Sequence, residues 1–491
     1  MRILVHVSVS TMLRHFTYVI QALADRGHDV RIAWSEETKL PPPLALSGRE
    51  RISFINSPAS RSDQWAVKLE QQRAVRDYLR YFEPPFARAA KLRGRARRKA
   101  FKALTGGEDK SLAAVCPSCS AHIQNDDLVR MLLDVYPQVC TAVADRLALV
   151  EDTVPSDPGI DAFLRAESPD VLLVTPLIKG GSPQPDYVKS AKALGIPVAF
   201  PVFSWDNLSS KGLIHVMPDQ VFVWNDRQRI EAIELHRVPA DRVVVIGAPR
   251  FDKFFLMKPQ QTRDEFCATH GFDPGQPILT YLCSSEFVAE REREFVVRWI
   301  DEVRQHPALT AGNILIRPHP RQKGQWKHFR FHAPPRATVA HPKSISTDQT
   351  LFETVHHSVA VVGLNTSAQL EAGIVGKPVF TLLAPEFTGG QQETLHFEYL
   401  LKEHGGFVEV APDFETHRRQ LGAALEGNGD TARIREFIDR FLRPHGRDRP
   451  VTPIMADAIE ELARRHSASP RRSWWPRLPL GTSRAAAAKS Q

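Results

Sequence analysis

The stretch Val361-Val362-Gly363-Leu364-Asn365-Thr366-Ser367-Ala368-Gln369-Leu370-Glu371-Ala372-Gly373-Ile374-Val375-Gly376-Lys377-Pro378-Val379 decides the fold class. It runs from a short β-branched strand through a glycine turn and a polar cap into a helix. A second glycine then stops the helix and hands the chain to the next strand. A crossover helix between strands is the signature of a βαβ unit and of a parallel sheet. Such sheets place ligands outside the carboxyl ends of their strands, which is where Asn365, Thr366 and Ser367 fall. Free N–H groups and the dipole at a helix start suit phosphate, and Glu371, one turn inward, suits ribose hydroxyls. The alternative is structural: hydroxyl residues cap helices, with Glu371 on a solvated face.

The same alternation recurs on both sides. Residues 3–7 read as a buried strand. Phe16, Val19, Ile20 and Leu23 then form one helical face that stops at Arg26-Gly27, and Val30, Ile32 and Trp34 alternate as a second strand. The pattern breaks at Pro41-Pro42-Pro43, and residues of roughly 40–150 read as a mostly helical insertion. It resumes after Ser168-Pro169-Asp170 with strands at 171–175, 196–200, 221–224 and 243–246, and a second run follows Lys258-Pro259 with strands at 278–282, 313–316, 359–362 and 379–383. Each strand is a short unbroken apolar run, as strands buried on both faces require. The expected fold is therefore α/β, with two doubly wound Rossmann-like domains. Residues 1–255 would form the first, with its insertion, and 256–430 the second. Helices over 431–466 and a basic disordered tail over 467–491 would follow.

With 491 residues, 42% hydrophobic and 24% charged, the chain has the composition of a globular protein too long for one core. Residues 1–7 lack the long apolar core of a secretory signal, and no apolar run is long enough to span a membrane. Five scattered cysteines suit a reducing compartment, so a cytoplasmic protein is expected. Cys116-Pro117-Ser118-Cys119 near His122 lacks a second ligand pair and reads as free thiols rather than a zinc site. The net charge of +8 favours an acidic partner. Between Arg88 and Lys102 stand Lys91, Arg93, Arg95, Arg97, Arg98 and Lys99, with no acid among them. A second basic stretch, Arg471, Arg472, Arg477 and Arg484, surrounds Trp474 and Trp475. The first run is either a solvated helix face or a dock for an anionic membrane surface; the tail reads as plain disorder.

Several turns carry chemistry. Arg317-Pro318-His319-Pro320 ends a strand with a rigid turn and two phosphate donors. Ser284 and Ser285 follow the first strand of the second half, and Gln391 and Gln392 follow its last, so both pairs are expected at the donor. On the acceptor side, Asp206 in Phe203-Ser204-Trp205-Asp206-Asn207 is the expected general base, the alternative being an Asx turn. His6 and His15, beside the hydroxyl-rich loop Ser8-Val9-Ser10-Thr11, are rival bases. No DxD pair suited to a metal-bound diphosphate occurs, so metal-independent chemistry without a cofactor is expected.

The segment 363–379 resembles the donor-binding segment of GT-B glycosyltransferases. Arg317-Pro318-His319-Pro320 is similar to a turn in bacterial polysaccharide enzymes, among them CDP-glycerol glycerophosphotransferases and capsule transferases. Gly247-Ala248-Pro249-Arg250-Phe251-Asp252 resembles the interdomain stretch of these proteins and of UDP-N-acetylglucosamine 2-epimerases. The resemblance implies two domains facing across a cleft. It implies that Arg317 and His319 contact the diphosphate or sugar, Asn365, Thr366 and Ser367 the diphosphate, and Glu371 the ribose, with Arg250 on the donor side. The implied activity is transfer of a sugar from a nucleotide-sugar donor to a lipid-linked or cell-surface polysaccharide acceptor, with no role for nucleic acid. Epimerisation of a nucleotide sugar and a non-catalytic nucleotide-binding scaffold are the alternatives.

Overall fold

The computed structural model describes residues 1–8, 10–34, 43–106, 138–326, 329, 331, 337–340, 347–427 and 429–468, with the backbone of two short strands between 107 and 137. The Cys116-Cys119 pair, most of the loop around it and the Trp474-Trp475 tail lie outside the described residues.

The first parallel sheet contains β1 (Arg2–Val7), β2 (Asp29–Trp34) and β3 (Ile52–Asn56). After the separate antiparallel ribbon of β4 (Ala114–Val115) and β5 (His122–Ile123), it continues with β6 (Val171–Thr175), β7 (Val198–Pro201), β8 (Gln220–Val223) and β9 (Val243–Val245). Its seven strands run in the order β3-β2-β1-β6-β7-β8-β9. The second sheet contains β10 (Ile278–Leu282), β11 (Asn313–Arg317), β12 (Ala337–Val339), β13 (Ala360–Val362), β14 (Val379–Leu382) and β15 (Val408–Ala411), in the order β12-β11-β10-β13-β14-β15. Both are doubly wound. Each order reverses once, between β1 and β6 and between β10 and β13, and these reversals are where open α/β sheets bind ligands.

Besides the β4–β5 ribbon, three strands of the two parallel sheets went unread in the sequence. Residues 52–56 lie inside the expected insertion, yet Val30 to Trp34 pair in parallel with Ile52 to Asn56. β12 and β15 are the outer strands of the second sheet. Edge strands of this kind are short and half-buried, so their apolar runs are broken.

Among the described residues, the insertion also carries helices. They include α2 (Ala66–Leu79) and α3 (Ala90–Thr105), which pack on each other; the chain's first helix, α1, is Thr17–Asp25. The basic run lies on α3. One face of that helix is buried through Leu92, Arg93, Ala96 and Ala100, while Arg88 before it and Arg98 and Lys102 along it stay exposed. The last helix, Val451–Ala468, crosses back and seats Met455, Ile459 and Leu462 in the core of the first domain beside Ile3 and Val19. Burying side chains of this size contributes about 1.5–3 kcal/mol each. Asp252 fixes the crossing: it accepts from Arg443 Nη2 at 2.9 Å, from the Val451 N–H at 3.0 Å and from the Thr452 N–H at 2.6 Å. Gly247 lies against this crossing with φ +99°, and a Cβ there would stand 2.6 Å from Val451 Cγ2.

Candidate functional site

The carboxyl ends of the first sheet open onto a cleft of about 490 Å³ that reaches Arg250 in the interdomain stretch and Ser367 in the second domain. Each wall follows from topology. The loop after β1 brings Arg14 and His15, the loop after β6 brings Lys179, and the loop after β7 brings Trp205, Asp206 and Lys211. The insertion closes the side with Tyr81, Arg95 and Lys99.

The insertion also shapes the loop after β7. Arg80, 1% exposed, donates to the carbonyl oxygens of Lys211 at 2.8 Å and Gly212 at 3.0 Å, and also to that of Leu208. Tyr81 Oη donates to Lys211 O at 2.9 Å. Asp77 takes the Leu213 N–H at 2.8 Å and lies so close to Gly212 that a Cβ there would meet Asp77 Oδ2 at 2.5 Å. Nothing in the sequence ties residue 80 to residue 211; only the packed insertion does.

Asp206 lies in the cleft, but its surroundings do not suit a base. Its carboxylate accepts from Ser204 Oγ at 2.6 Å and Ser210 Oγ at 2.9 Å, and pairs with Lys211 at 3.4 Å. Burial pushes its pKa up, but Lys211, His396 and the two hydroxyls outweigh burial and hold it well below the usual carboxylate range. A carboxylate so saturated is a poor proton acceptor. Its neighbour braces the loop as well: Asn207 Oδ1 accepts the Ser204 N–H, three residues back, at 3.1 Å, which is not an Asx turn.

The two rival histidines part company. His6 does not line the cleft. It stacks on Tyr187 at 3.9 Å beside Gln184, and burial depresses its pKa to about 3, so its role is in the core. His15 does line the cleft. Burial, then the positive charges of Arg250 and Arg14, hold its imidazole well below the usual histidine range, while Asp206 works in the opposite direction. Its Nδ1 is buried without a hydrogen-bond partner, and Arg14 Nε donates to its Nε2 at 3.3 Å. The ring is neutral at neutral pH.

In the second domain the expected donor residues divide into two groups. Arg317, Glu371 and Arg250 gather at one place: Arg250 Nη2 approaches Glu371 Oε1 at 3.3 Å, with Asp348 at 4.0 Å. Glu371 is buried, its Oε2 has no partner, and burial raises its pKa against the pull of Arg250. Arg317 is 5% exposed and, among the described residues, donates to neutral groups, Thr350 O at 3.3 Å, Thr350 Oγ1 at 3.1 Å and Thr354 Oγ1 at 3.3 Å. Burial lowers its pKa to about 10, against the through-space pull of Glu371 and Asp348. His319 is half-buried on the turn that follows, and Ser285, Ser367 and Gln392 keep part of their surface open.

The other group is spent on the fold. Asn365 Nδ2 donates to Gly390 O at 2.7 Å. Gln391, fully buried, donates to Leu364 O at 3.2 Å and Leu382 O at 3.0 Å and accepts the Ala384 N–H at 3.2 Å. The Thr366 N–H is taken by Gln369 Oε1 at 3.2 Å. Ser284 receives the Asn365 N–H on its Oγ at 3.4 Å and gives its own N–H to Glu292 at 2.7 Å. These side chains lock the loops after β10, β13 and β14 to one another, and so act on any ligand through the backbone they position.

Sequence reading missed His396, whose ring meets Trp205 edge-on at 4.9 Å across the domains and is depressed by burial to about 4. It also missed the role of the basic run. Arg95 and Lys99 face the cleft, Arg95 lies over Phe287 of the second domain at 4.5 Å, and Arg88 pairs with Glu398 at 3.2 Å. α3 thus joins both domains. Among the described residues no cluster of His, Cys, Asp and Glu is built to hold a metal ion, and no helix is long and apolar enough to cross a membrane.

No protein-family model matches the chain, and no curated protein matches it. Solved structures do. A glycosyltransferase from Rickettsia africae aligns over 96% of this chain and 99% of its own at a TM-score of 0.50 and 10% identity. The architecture is GT-B. A UDP-GlcNAc 2-epimerase from Methanocaldococcus jannaschii aligns over 93% of this chain and 99% of its own, with TM-score 0.48 and 13% identity. The spinosyn rhamnosyltransferase SpnG bound to spinosyn aglycone aligns over 94% and 100%, with TM-score 0.45 and 13% identity. At such identities the likeness is one of fold, and a GT-B fold hosts more than one chemistry.

Proposed function

We propose that the protein is a glycosyltransferase that moves a sugar from a nucleotide-sugar donor to a hydroxyl of a lipid-linked or cell-surface polysaccharide acceptor. One observation carries the reading: the interdomain cleft at the first sheet's switch point gathers Arg14, Arg95, Lys99, Lys179 and Lys211 against the carboxylates Asp77 and Asp206, and reaches Arg250 and Ser367 on the donor side. The donor diphosphate would lie by Arg250, Arg317, His319 and Ser367, with Glu371 toward the ribose. Arginine and lysine then supply the charge that stabilises the departing diphosphate.

In this reaction the acceptor oxygen bonds to the anomeric carbon, the bond from that carbon to the diphosphate breaks, and the nucleotide leaves with the electron pair. The acceptor proton goes to Nε2 of His15, which must first part from the Arg14 Nε–H that it accepts, and the permanent carboxylate of Asp206 offsets the imidazolium. Arg250 and Arg14 oppose that charge. A bound diphosphate would neutralise them, so His15 gains basicity only when the donor is in place. An epimerase on this fold needs carboxylates free to move protons at the sugar. Asp77 and Asp206 are the cleft's carboxylates among the described residues, and both are pinned.

The test is to incubate the protein with a panel of nucleotide sugars, with and without polysaccharide or lipid-linked acceptors, and measure nucleotide release and the donor's stereochemistry. Acceptor-dependent release supports transfer. An epimerised donor formed without acceptor contradicts it.

A further inference from the structure

Four cations gather on the first-domain side of the cleft: Arg95 and Lys99 from α3, Lys179 from the loop after β6 and Lys211 from the loop after β7. Lys99 and Lys179, with Asp77 and Gly180, also line a second cavity of about 380 Å³, so the two spaces meet at these lysines. Lys99 Nζ presses on the loop backbone, where a Cβ on Gly180 would stand only 3.2 Å from it.

The charges there do not balance. Burial pushes the Lys99 ammonium down, Arg95, Lys211 and Lys179 push it further, and Asp77 resists. Asp77 is already paired with His215 at 3.0 Å and with the Leu213 N–H, and Asp206 with Lys211, Ser204 and Ser210. Arg95 donates to Ser210 O. Among the described residues, Lys99 and Lys179 have no ion-pair partner. Gathering like charges around a hollow is unfavourable unless an anion fills it.

We propose that Arg95, Lys99, Lys179 and Lys211 seat a phosphate or diphosphate group carried by the acceptor, with the remainder of the acceptor running into the second cavity. The proposal rests on the transferase reading and adds the acceptor's chemical class. All four cations belong to the first domain, whereas Arg317, His319 and Ser367 belong to the second. The anion seated here is therefore distinct from the donor's diphosphate. The second cavity suits a continuing chain: Ala66, Val67, Ala74 and Leu177 give it apolar walls, and Ser182 and Lys102 give it polar ones.

The experiment titrates inorganic pyrophosphate into the full chain and follows the fluorescence of the cleft tryptophans Trp205 and Trp224. Both lysines are exposed, so Lys99→Gln with Lys179→Gln removes charge without opening the core. The expected result is saturable binding to the wild type that persists when the best-binding nucleoside diphosphate is saturating. In the double variant pyrophosphate should weaken by at least about tenfold while the nucleotide's affinity is unchanged. One-for-one displacement of pyrophosphate by the nucleotide would give the seat to the donor and overturn the proposal. So would an unchanged pyrophosphate affinity in the double variant, including the case where only binding to phosphatidylglycerol vesicles is lost, which would make the lysines a membrane contact. If no nucleotide binds the wild type, the donor reading fails by itself, and the pyrophosphate arm still decides the anion seat.

Discussion

Glu292 offers the most quantitative test of how the loop after β10 is held. It is fully buried, and its carboxyl meets two neutral donors, the Ser284 N–H at 2.7 Å and Tyr281 Oη at 3.2 Å. Burial raises its pKa to about 8, although the Ser284 N–H and the two hydroxyls favour the charged form. The ordinary value is 4.5, so the folded state holds this proton more tightly than the unfolded chain. The stability it lends is full below pH 4.5 and is lost as the pH rises toward 8. Within that window each pH unit costs up to about 1.4 kcal/mol, so the loss between pH 5 and pH 8 sums to about 3 kcal/mol. Glu292→Gln keeps the shape, the amide oxygen still accepts from Ser284, and the Tyr281 hydroxyl can turn to accept from the amide nitrogen. Urea unfolding of wild type and variant at pH 5, 6, 7 and 8 reads the difference. The variant should gain on the wild type by about 3 kcal/mol across this range. A difference that stays flat with pH would mean that Glu292 does not titrate in this window, and the reasoning about its burial would be refuted.

Other expectations are simpler to state. His15→Gln and Asp206→Asn should each keep nucleotide affinity and lower turnover by about 10²–10⁴-fold; a fully active Asp206→Asn would leave that carboxylate without a role in proton transfer. Gly390→Ala would drive a Cβ to 2.4 Å from Val288 O and displace the carbonyl that holds Asn365. Overpacking of this kind costs about 1–3 kcal/mol, read as a lower melting temperature together with weaker nucleotide binding, and an unperturbed variant would contradict the loop lock. If the exposed face of α3 docks on an anionic membrane, charge reversal at Arg98 and Lys102 should abolish salt-sensitive sedimentation with anionic vesicles, since screening acts within about 8 Å at physiological ionic strength. Binding that survives would move any lipid contact elsewhere on the chain.

What was legible in the sequence follows physical lines. Central strands such as β6 and β10, buried on both faces, announced themselves as unbroken apolar runs, and the helix Thr17–Asp25 buries Val19, Ile20 and Leu23 as their spacing predicts. β3, β12 and β15, at or near the sheet edges, carry weaker patterns and were missed. The turn Arg317-Pro318-His319 and the start of the helix at Ala368 were found because each sits next to a readable strand. Asn365 and Gln391 looked like ligand donors because a side-chain amide reads the same whether it meets a sugar or a carbonyl of its own chain. Only the folded structure shows Gly390 O and Leu364 O as their partners. The basic run was legible as charge but not as a wall of the cleft, since its partners Phe287 and Glu398 lie far along the chain. Lys179 and Lys211 carry no motif, and they reach one site through topology.

The central claim is that the cleft takes the diphosphate of a nucleotide on Arg250 and Arg317. Calorimetric titration of UDP, GDP, CDP and CMP into the wild type, Arg250→Ala and Arg317→Ala tests it most directly. The account predicts one-to-one binding of at least one nucleoside diphosphate to the wild type. Each variant should weaken that binding by about 1.5–3 kcal/mol, roughly ten- to more than a hundredfold, with its fold intact. No heat from any nucleotide, or wild-type affinity in both variants, would contradict it.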